Sequence, residues 1–530
     1  MDEHKKLENL LRMGKITRRD FLARASALSL AAALPSSFMA AKARAATPKK
    51  GGRLRIGSPG AQTSDSLDTA TITNLVPETL SWMLRNCLVE IDHRSKAIPE
   101  LAESWESTPD AKQWHFKLRK GVEFHNGKTF AAEDVIFSIN HHRGKDSKSP
   151  AKVIVEPIVE IKADDKYSVT ITLREGNADF PYLMSDYHLA IVPDGTQGAA
   201  WEKGIGTAGY ILKSWEPGVR SFATRNPNYW KAGRAHFDEV EMIGINDPNT
   251  RTSALKTGEV DVIPRCDRKT VHLLQRSPNI QIVETNGTKH FTIPMRSDLK
   301  PYSDNNVRLA LKHAVDREHL LKTVLRGHGI IGNDHPISPA NRYFAADLPQ
   351  RGYDPDKARF YMQKAGLTDH VFNLHTADAA FPGAVDVAIL YKEHAAKAGI
   401  NIKIVKEPND GYWSDVWLKK EWCFSYWWGR PTEDWMFSTT YAADSNWNES
   451  FWKNERFNQL LVAARAELDE HKRREMYVEM QQLCRDDGGS VIPVFPSDIL
   501  AASSRLKFEN VAANIEMDGC KLPERWWFES

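Results

Sequence analysis

Cysteine is scarce in this chain. Cys87, Cys266, Cys423, Cys484 and Cys520 are spread over 530 residues with no CxxC spacing, which excludes a disulfide-dense scaffold and a Cys-ligated zinc module. An oxidising compartment would permit one disulfide, and the odd count leaves at least one thiol free. HExxH, GxSxG and P-loop patterns are absent, and no internal repeat or low-complexity tract appears after residue 45. Gly204 to Gly209 reads GxGxxG, but no strand leads into it and Tyr210-Ile211-Leu212 continues as a strand, so no phosphate cradle is expected. Eighteen histidines include the pair His141-His142. Neighbouring helix side chains diverge, so the pair makes a poor chelate and reads as solvated helix histidines. Asp486-Asp487 beside Gly488-Gly489 reads as a helix end. Neither a cofactor nor a bound metal is expected.

The composition, 41% hydrophobic and 26% charged, supplies a large core and more than one structural unit. Residues 1–45 stand apart. Arg18-Arg19, followed by Phe21 and Leu22, precede an Ala/Leu/Ser run from Ala25 to Ala33 and an A-x-A site at Ala43 to Ala45. The segment resembles a twin-arginine export signal, which implies passage through the twin-arginine machinery and cleavage near Ala45. The run is too short, and too rich in Ala and Ser, for a membrane span. The cleavage region offers no cysteine for a lipid anchor. The segment carries +5 of the total charge of +2, leaving −3 for the rest. That mild acidity argues against nucleic acid or an anionic membrane as partner, and a soluble periplasmic monomer is expected.

From Gly51 the chain opens with a short alternating strand, and a helix is expected over Asn74 to Cys87. Gln113 to Leu118 alternates as a strand, Asn126-Gly127 marks a turn, and Ala132 begins an amphipathic helix. Asp316 and Asp354 each precede a helical pattern as N-caps, the second with Pro355 at the first helical position, and Gly327 and Gly366 close them. Pro99, Leu101, Ala102, Trp105, Phe116, Leu118, Arg119, Gly121, Val122, Phe124, His125, Gly127, Ala132, Asp134, Val135 and Ser138 together form one spaced pattern. It resembles that of the peptide/nickel-type (family 5) extracellular solute-binding proteins of ABC importers. Gly206 to Tyr210, Leu255 to Asp261, Pro301 to Leu311 and Tyr353 to Ala358 extend the resemblance over roughly residues 50–500.

The resemblance implies an α/β, two-lobed periplasmic binding protein with mixed β-sheets flanked by helices and a hinge between the lobes. Lobe one is expected at 46–285 plus 496–530, with an extra subdomain near 85–205, and lobe two at 286–495. It implies capture of an organic solute in an interlobe cleft, delivery to ABC permease subunits in the inner membrane, and no catalysis. A secreted hydrolase on the same fold is the alternative.

The segment Trp422 to Phe437 places four tryptophans around Gly429, Arg430, Pro431, Glu433 and Asp434. Aromatic walls around a few oriented charges suit a concave site better than a buried strand. In peptide-binding members of the family, a Trp here is followed three residues later by an Asp that pairs with the ligand ammonium. With Trp427 matched to that Trp, Arg430 stands where the Asp would be; a shift of one places Pro431 there instead, so in either register the Asp is missing. An arginine there favours a carboxylate or phosphate, and Arg296, at a place the family commonly fills with Asn, points the same way. The expected site is Trp427, Trp428, Arg430, Asp434, Trp435, Arg296 and Trp413, binding a peptide-like, opine-like or other carboxylated solute. Arg430 pairing internally with Glu433 or Asp434 is the alternative, and Asp434 binding a ligand cation is a further possibility.

Overall fold

The computed structural model describes residues 48–529. The export-signal residues Arg18, Arg19, Phe21 and Leu22, and the cleavage site near Ala45, lie outside the described residues. Among the described residues the largest sheet has seven strands, in the order Ile280–Thr285, Asp498–Ser503, Val262–Ile263, Arg53–Ser58, Glu239–Gly244, Arg220–Arg225, Tyr210–Glu216. Arg53–Ser58 runs parallel to both of its neighbours and the remaining pairs are antiparallel, so the sheet is mixed. In Arg53–Ser58 the pattern RLRIGS buries Leu54 and Ile56 on one face. The parallel register sets Leu54 beside Val240 and Ile56 beside Met242, all buried. The C-terminal segment closes this core, where Trp526 is fully buried and stacks on Phe508 with centroids 4.3 Å apart.

A separate four-stranded antiparallel sheet uses Ala102–Ser107, Gln113–Leu118, Ser168–Leu173 and Ile158–Asp165. Helix Ala132–Asn140 lays Val135 and Ile139 into the core this sheet builds with Phe116, Val169 and Ile171. His125 takes a structural role, its ring accepting from Gly206 N at 3.3 Å while its other nitrogen meets Ala208 O at 3.0 Å. The histidines after this helix correct the solvated reading. His142 is fully buried against Ser149 Oγ at 2.7 Å, and His141 pairs with Asp68 at 2.6 Å. They differ because the helix ends against the 68–72 turn rather than in water.

Two further cores occupy residues 290–496. In one, the parallel strands Val371–Thr376 and Asn401–Lys406 are joined through helix Ala384–Ala396. Trp422 is enclosed there by Tyr302, Phe372 and Tyr391 with ring centroids 5.6 to 6.4 Å apart. In the other, Trp427 and Phe437 pack with Phe457, Tyr477 and Met480 from helices Glu455–Ala466 and Glu470–Asp486. Asp354 and Asp316 cap Pro355–Lys364 and Arg317–Thr323, as their sequences suggest. The chain passes from the large sheet into strand His290–Pro294 through residues 286–289, and returns at Ser497. The two passages touch, with Ser497 Oγ donating to Asn286 Oδ1 at 2.7 Å. All five cysteines are free thiols.

Charge is buried in self-satisfied groups. Lys231 lies 2.5 Å from Glu90 and 2.6 Å from Glu100, and Lys521 lies 2.6 Å from Glu100. Asp179, from the four-stranded-sheet region, receives Arg342 and, at 2.9 Å, Arg473, and all three are buried or nearly so. Removing the shared carboxylate strands two arginines in a low-dielectric contact. Asp179→Ala is therefore expected to cost about 3–5 kcal/mol, read as a lowered midpoint in urea denaturation; an unchanged midpoint would show the contact to be energetically idle.

Candidate functional site

The turn that opens the site is formed by three local constraints. Strand Ser425–Trp427 pairs antiparallel with His290–Thr292, setting Trp427 opposite His290. Gly429 then passes so close to the chain that an added Cβ would lie 1.5 Å from Thr288 Oγ1. Thr432 Oγ1 accepts from Trp435 N at 3.2 Å and caps helix Glu433–Thr440, as N-cap threonines do. Residues 428–431 are thus held between a strand end and a helix start, against a cavity of about 830 Å³.

Trp428, Arg430 and Trp435 line this cavity; Trp427, Asp434, Arg296 and Trp413 do not. Trp427 is buried behind the wall, its ring 6.3 Å from Trp417 and 5.9 Å from Trp447. Strand alternation explains the split between neighbours, since Trp427 and Trp428 must face opposite ways. Asp434 is turned inward, where Arg465 Nε meets it at 3.1 Å. Arg296 pairs with Asp298 at 2.6 Å and lies 3.9 Å over the Phe451 ring. Trp413 packs edge-on against Tyr412, Trp417 and Tyr426 with its other side in solvent.

Arg430 makes no ion pair among the described residues. Its Nη1 donates to the carbonyls of Trp428 at 3.2 Å and Gly429 at 3.4 Å, and its Nε is buried without an acceptor. Neither sequence-suggested internal partner holds it: Asp434 is paired with Arg465, and Glu433 accepts from Tyr343 N at 2.7 Å while its other carboxylate oxygen, Oε2, is buried without a partner. The guanidinium lies between the rings of Trp427 and Trp435, at 6.0 and 5.6 Å. Burial lowers its pKa from the ordinary arginine value, with Asp186 and Tyr187 opposing that shift. Trp428 is overlaid by Lys289 Nζ at 4.1 Å and Arg265 at 5.5 Å, within cation–π reach.

The opposite wall comes from the large-sheet region. It brings Glu78 on helix Leu75–Leu84, Asp186, Arg265, Asp498 and Glu516 to the cavity. None of these was singled out in the sequence. Glu78 had a readable signal, as the single acid inside the apolar helix LVPETLSWML. Arg265 is matched by Glu516 at 2.6 Å and Asp186 by His188 Nδ1 at 2.7 Å. Among the described residues Glu78 has no cation within ion-pair distance, and its side chain accepts a hydrogen bond from the Cys520 thiol at 3.9 Å. Its pKa is pushed up to about 8, chiefly by burial and then by the carboxylates of Glu516 and Asp186. Burial likewise raises Asp498 to about 6.

Among the described residues one cluster has metal-ligand types at short range, Asp316, His319 and His394. There Asp316 N donates to His394 Nδ1 at 3.2 Å, so His394 Nε2 carries the proton it shares with His319 Nδ1 at 2.8 Å. That is a hydrogen-bonded pair with its lone pairs already engaged. No helix among the described residues is long and apolar enough to cross a membrane.

Residues 96–449 match the bacterial extracellular solute-binding proteins, family 5, and the chain belongs to that family. It is 27% identical to the dipeptide-binding protein of Escherichia coli K12 over 454 residues, 77% of this chain and 83% of that protein. It is 25% identical to the oligopeptide-binding protein AppA of Bacillus subtilis, over 94% of this chain and 96% of that one. The solved structure of HbpA2 from Haemophilus parasuis superposes with a TM-score of 0.79 at 22% identity, covering 87% of this chain and 98% of that chain. The fold is thus the mixed α/β architecture of periplasmic binding proteins.

The raised carboxyl gives a signed expectation. Between pH 4.5 and 8 the folded protein holds a proton on Glu78 that the unfolded chain has released, so the stability Glu78 contributes falls as pH rises through that window. Glu78→Gln removes this titrating group. Thermal unfolding of the ligand-free proteins should show wild type losing ground to the variant from pH 4.5 to 8; parallel pH profiles would contradict the assignment.

Proposed function

We propose that this chain is a periplasmic binding protein that captures a carboxylated organic solute, peptide-like or opine-like, in the 830 Å³ cavity and delivers it to the permease of an ABC importer. The observation that carries this reading is Arg430, a part-buried guanidinium on the cavity wall with a buried, unpartnered Nε, two carbonyl contacts and no carboxylate partner among the described residues. A planar fork in that state accepts a carboxylate through paired hydrogen bonds, while Trp428 and Trp435 supply apolar faces for the rest of the solute. The matched relatives are named as dipeptide- and oligopeptide-binding proteins, which supports a peptide-like solute and gives no support to a hydrolase.

In this reading, lobe one comprises residues 46–285 and 496–530 and lobe two residues 286–495. The passages at 286–289 and Ser497 serve as the hinge, and closure around solute creates the surface the permease recognises. The cavity is lined from both sides of those passages, as a closing cleft requires. The chain acts as a monomer without catalysis. Export through the twin-arginine route, with cleavage near Ala45, puts it in the periplasm.

The solute is identified by mass spectrometry of material released from natively purified protein. Arg430→Ala should weaken that solute by about 2–5 kcal/mol in isothermal titration, because a carboxylate is left buried without its partner. Undiminished affinity would move the site elsewhere.

A further inference from the structure

Most charged groups at the cavity are matched within the protein. Arg265 is held by Glu516, and Lys521 and Arg525 are held by Glu100 and Glu90. Among the described residues, the groups left without an ion-pair partner carry both signs, Arg430 and Lys289 on one side, Glu78 and Asp498 on the other. Lys289 is covered by the Trp428 ring, and Asp498 lies at the returning passage and feels the charge of Lys289. Glu78 is the different case. It projects from a helix that buries Leu75, Val76, Pro77, Thr79 and Leu80 around it, and among the described residues its carboxylate has one hydrogen-bond partner, the Cys520 thiol. An isolated carboxylate on an apolar helix is costly unless something cationic meets it.

Asp186 ties this group to Arg430. All three line the same cavity, where the Asp186 charge repels Glu78 and attracts Arg430. Resting on the solute-capture reading above, we infer that Glu78 is the receptor for a cationic nitrogen of the solute, with Arg430 taking its carboxylate. The solute is then a zwitterion bearing a protonated amine, not a simple organic anion. The ammonium displaces no existing ion pair, since Arg265 is already engaged with Glu516 and His188 with Asp186. Because burial favours the protonated Glu78 carboxyl when the cavity is empty, pairing with an ammonium at neutral pH expels that proton. The O–H bond of Glu78 breaks, its proton passes to buffer, and the carboxylate pairs with the solute N–H. The groups that face Glu78, namely Glu516, Asp186, Arg265 and the Cys520 thiol, are retained in every variant below.

The test uses the signal-free chain and three probes, the dipeptide Ala-Phe, its N-acetyl form and its C-terminal amide. Isothermal titration at pH 7 is run in two buffers of different ionisation enthalpy. Wild type is expected to bind Ala-Phe and release protons to buffer. Glu78→Gln should lose affinity about tenfold or more and release none, while Glu78→Asp should keep part of both. N-acetyl Ala-Phe should bind wild type weakly and be indifferent to Glu78→Gln, and the amide should be indifferent to Arg430→Ala. Equal affinity of wild type and Glu78→Gln for Ala-Phe, with Arg430→Ala still damaging, would overturn the ammonium site and leave the carboxylate reading standing. Failure of wild type to bind Ala-Phe at all would overturn the amine-bearing solute class. Melting temperatures of the variants establish that a loss of binding is not a loss of fold.

Discussion

The pairing of Ile280–Thr285 with Asp498–Ser503 is the constraint on which the rest of the molecule depends. These strands are more than two hundred residues apart, yet they zip antiparallel from Ile280 against Ser503 to Thr285 against Asp498. Everything between them must leave the large sheet and come back at nearly one place, and the Ser497–Asn286 hydrogen bond closes that gate. The cavity follows from this. Its walls are drawn from residues before 280, from Thr288, Lys289 and the stretch around 428–447, and from residues 498 onward, and this pairing, with that of Asp498–Ser503 to Val262–Ile263, holds the first and last of these together.

Once assembled, the interior handles charge in two ways. Away from the cavity, acids and bases are buried as closed groups, such as Glu90, Glu100, Lys231, Lys521 and Arg525 or Asp179 with its two arginines. Mutual attraction and hydrogen bonding offset the cost of desolvation in such groups. At the cavity that rule lapses for Arg430 and Glu78, where an opposite charge is withheld by the protein and is supplied, in the proposed function, by the solute. Buried charge without an internal partner is one of the few features by which a static structure distinguishes a binding wall from a packing surface.

The order of residues in 422–437 also gains a physical meaning. Trp422 anchors one core and Trp427 another, so the aromatic density that draws the eye in the sequence is largely structural. The functional part is the short turn between them. Gly429 permits the chain to pass against Thr288, and the Thr432 cap starts the next helix immediately, so Trp428 and Arg430 have little freedom to turn away from the cavity.

Local chemistry was legible in the sequence wherever neighbours along the chain decide it. The caps at Asp316 and Asp354, the strand Gln113–Leu118, the helix from Ala132 and the failure of GxGxxG to lead into a helix all follow from short-range rules. The family pattern extended this to the architecture, and the missing Asp after Trp427 singled out Arg430. Side-chain direction was another matter. Whether Asp434 faces solute or Arg465, and whether His142 is wet or buried, depend on partners 31 and 7 residues away, while Arg296, paired with Asp298 two residues on, is also turned over the distant Phe451 ring. The acids opposite Arg430 were beyond reach for the same reason, since nothing near Glu78 in the chain names Asp186 or Glu516 as its neighbours. The sequence by itself determined which elements form and which family pattern they follow, because those depend on local propensity and spacing. Only the tertiary structure decided which charges are left facing the cavity without partners, because pairing is settled by contacts that the chain makes after it has folded back on itself.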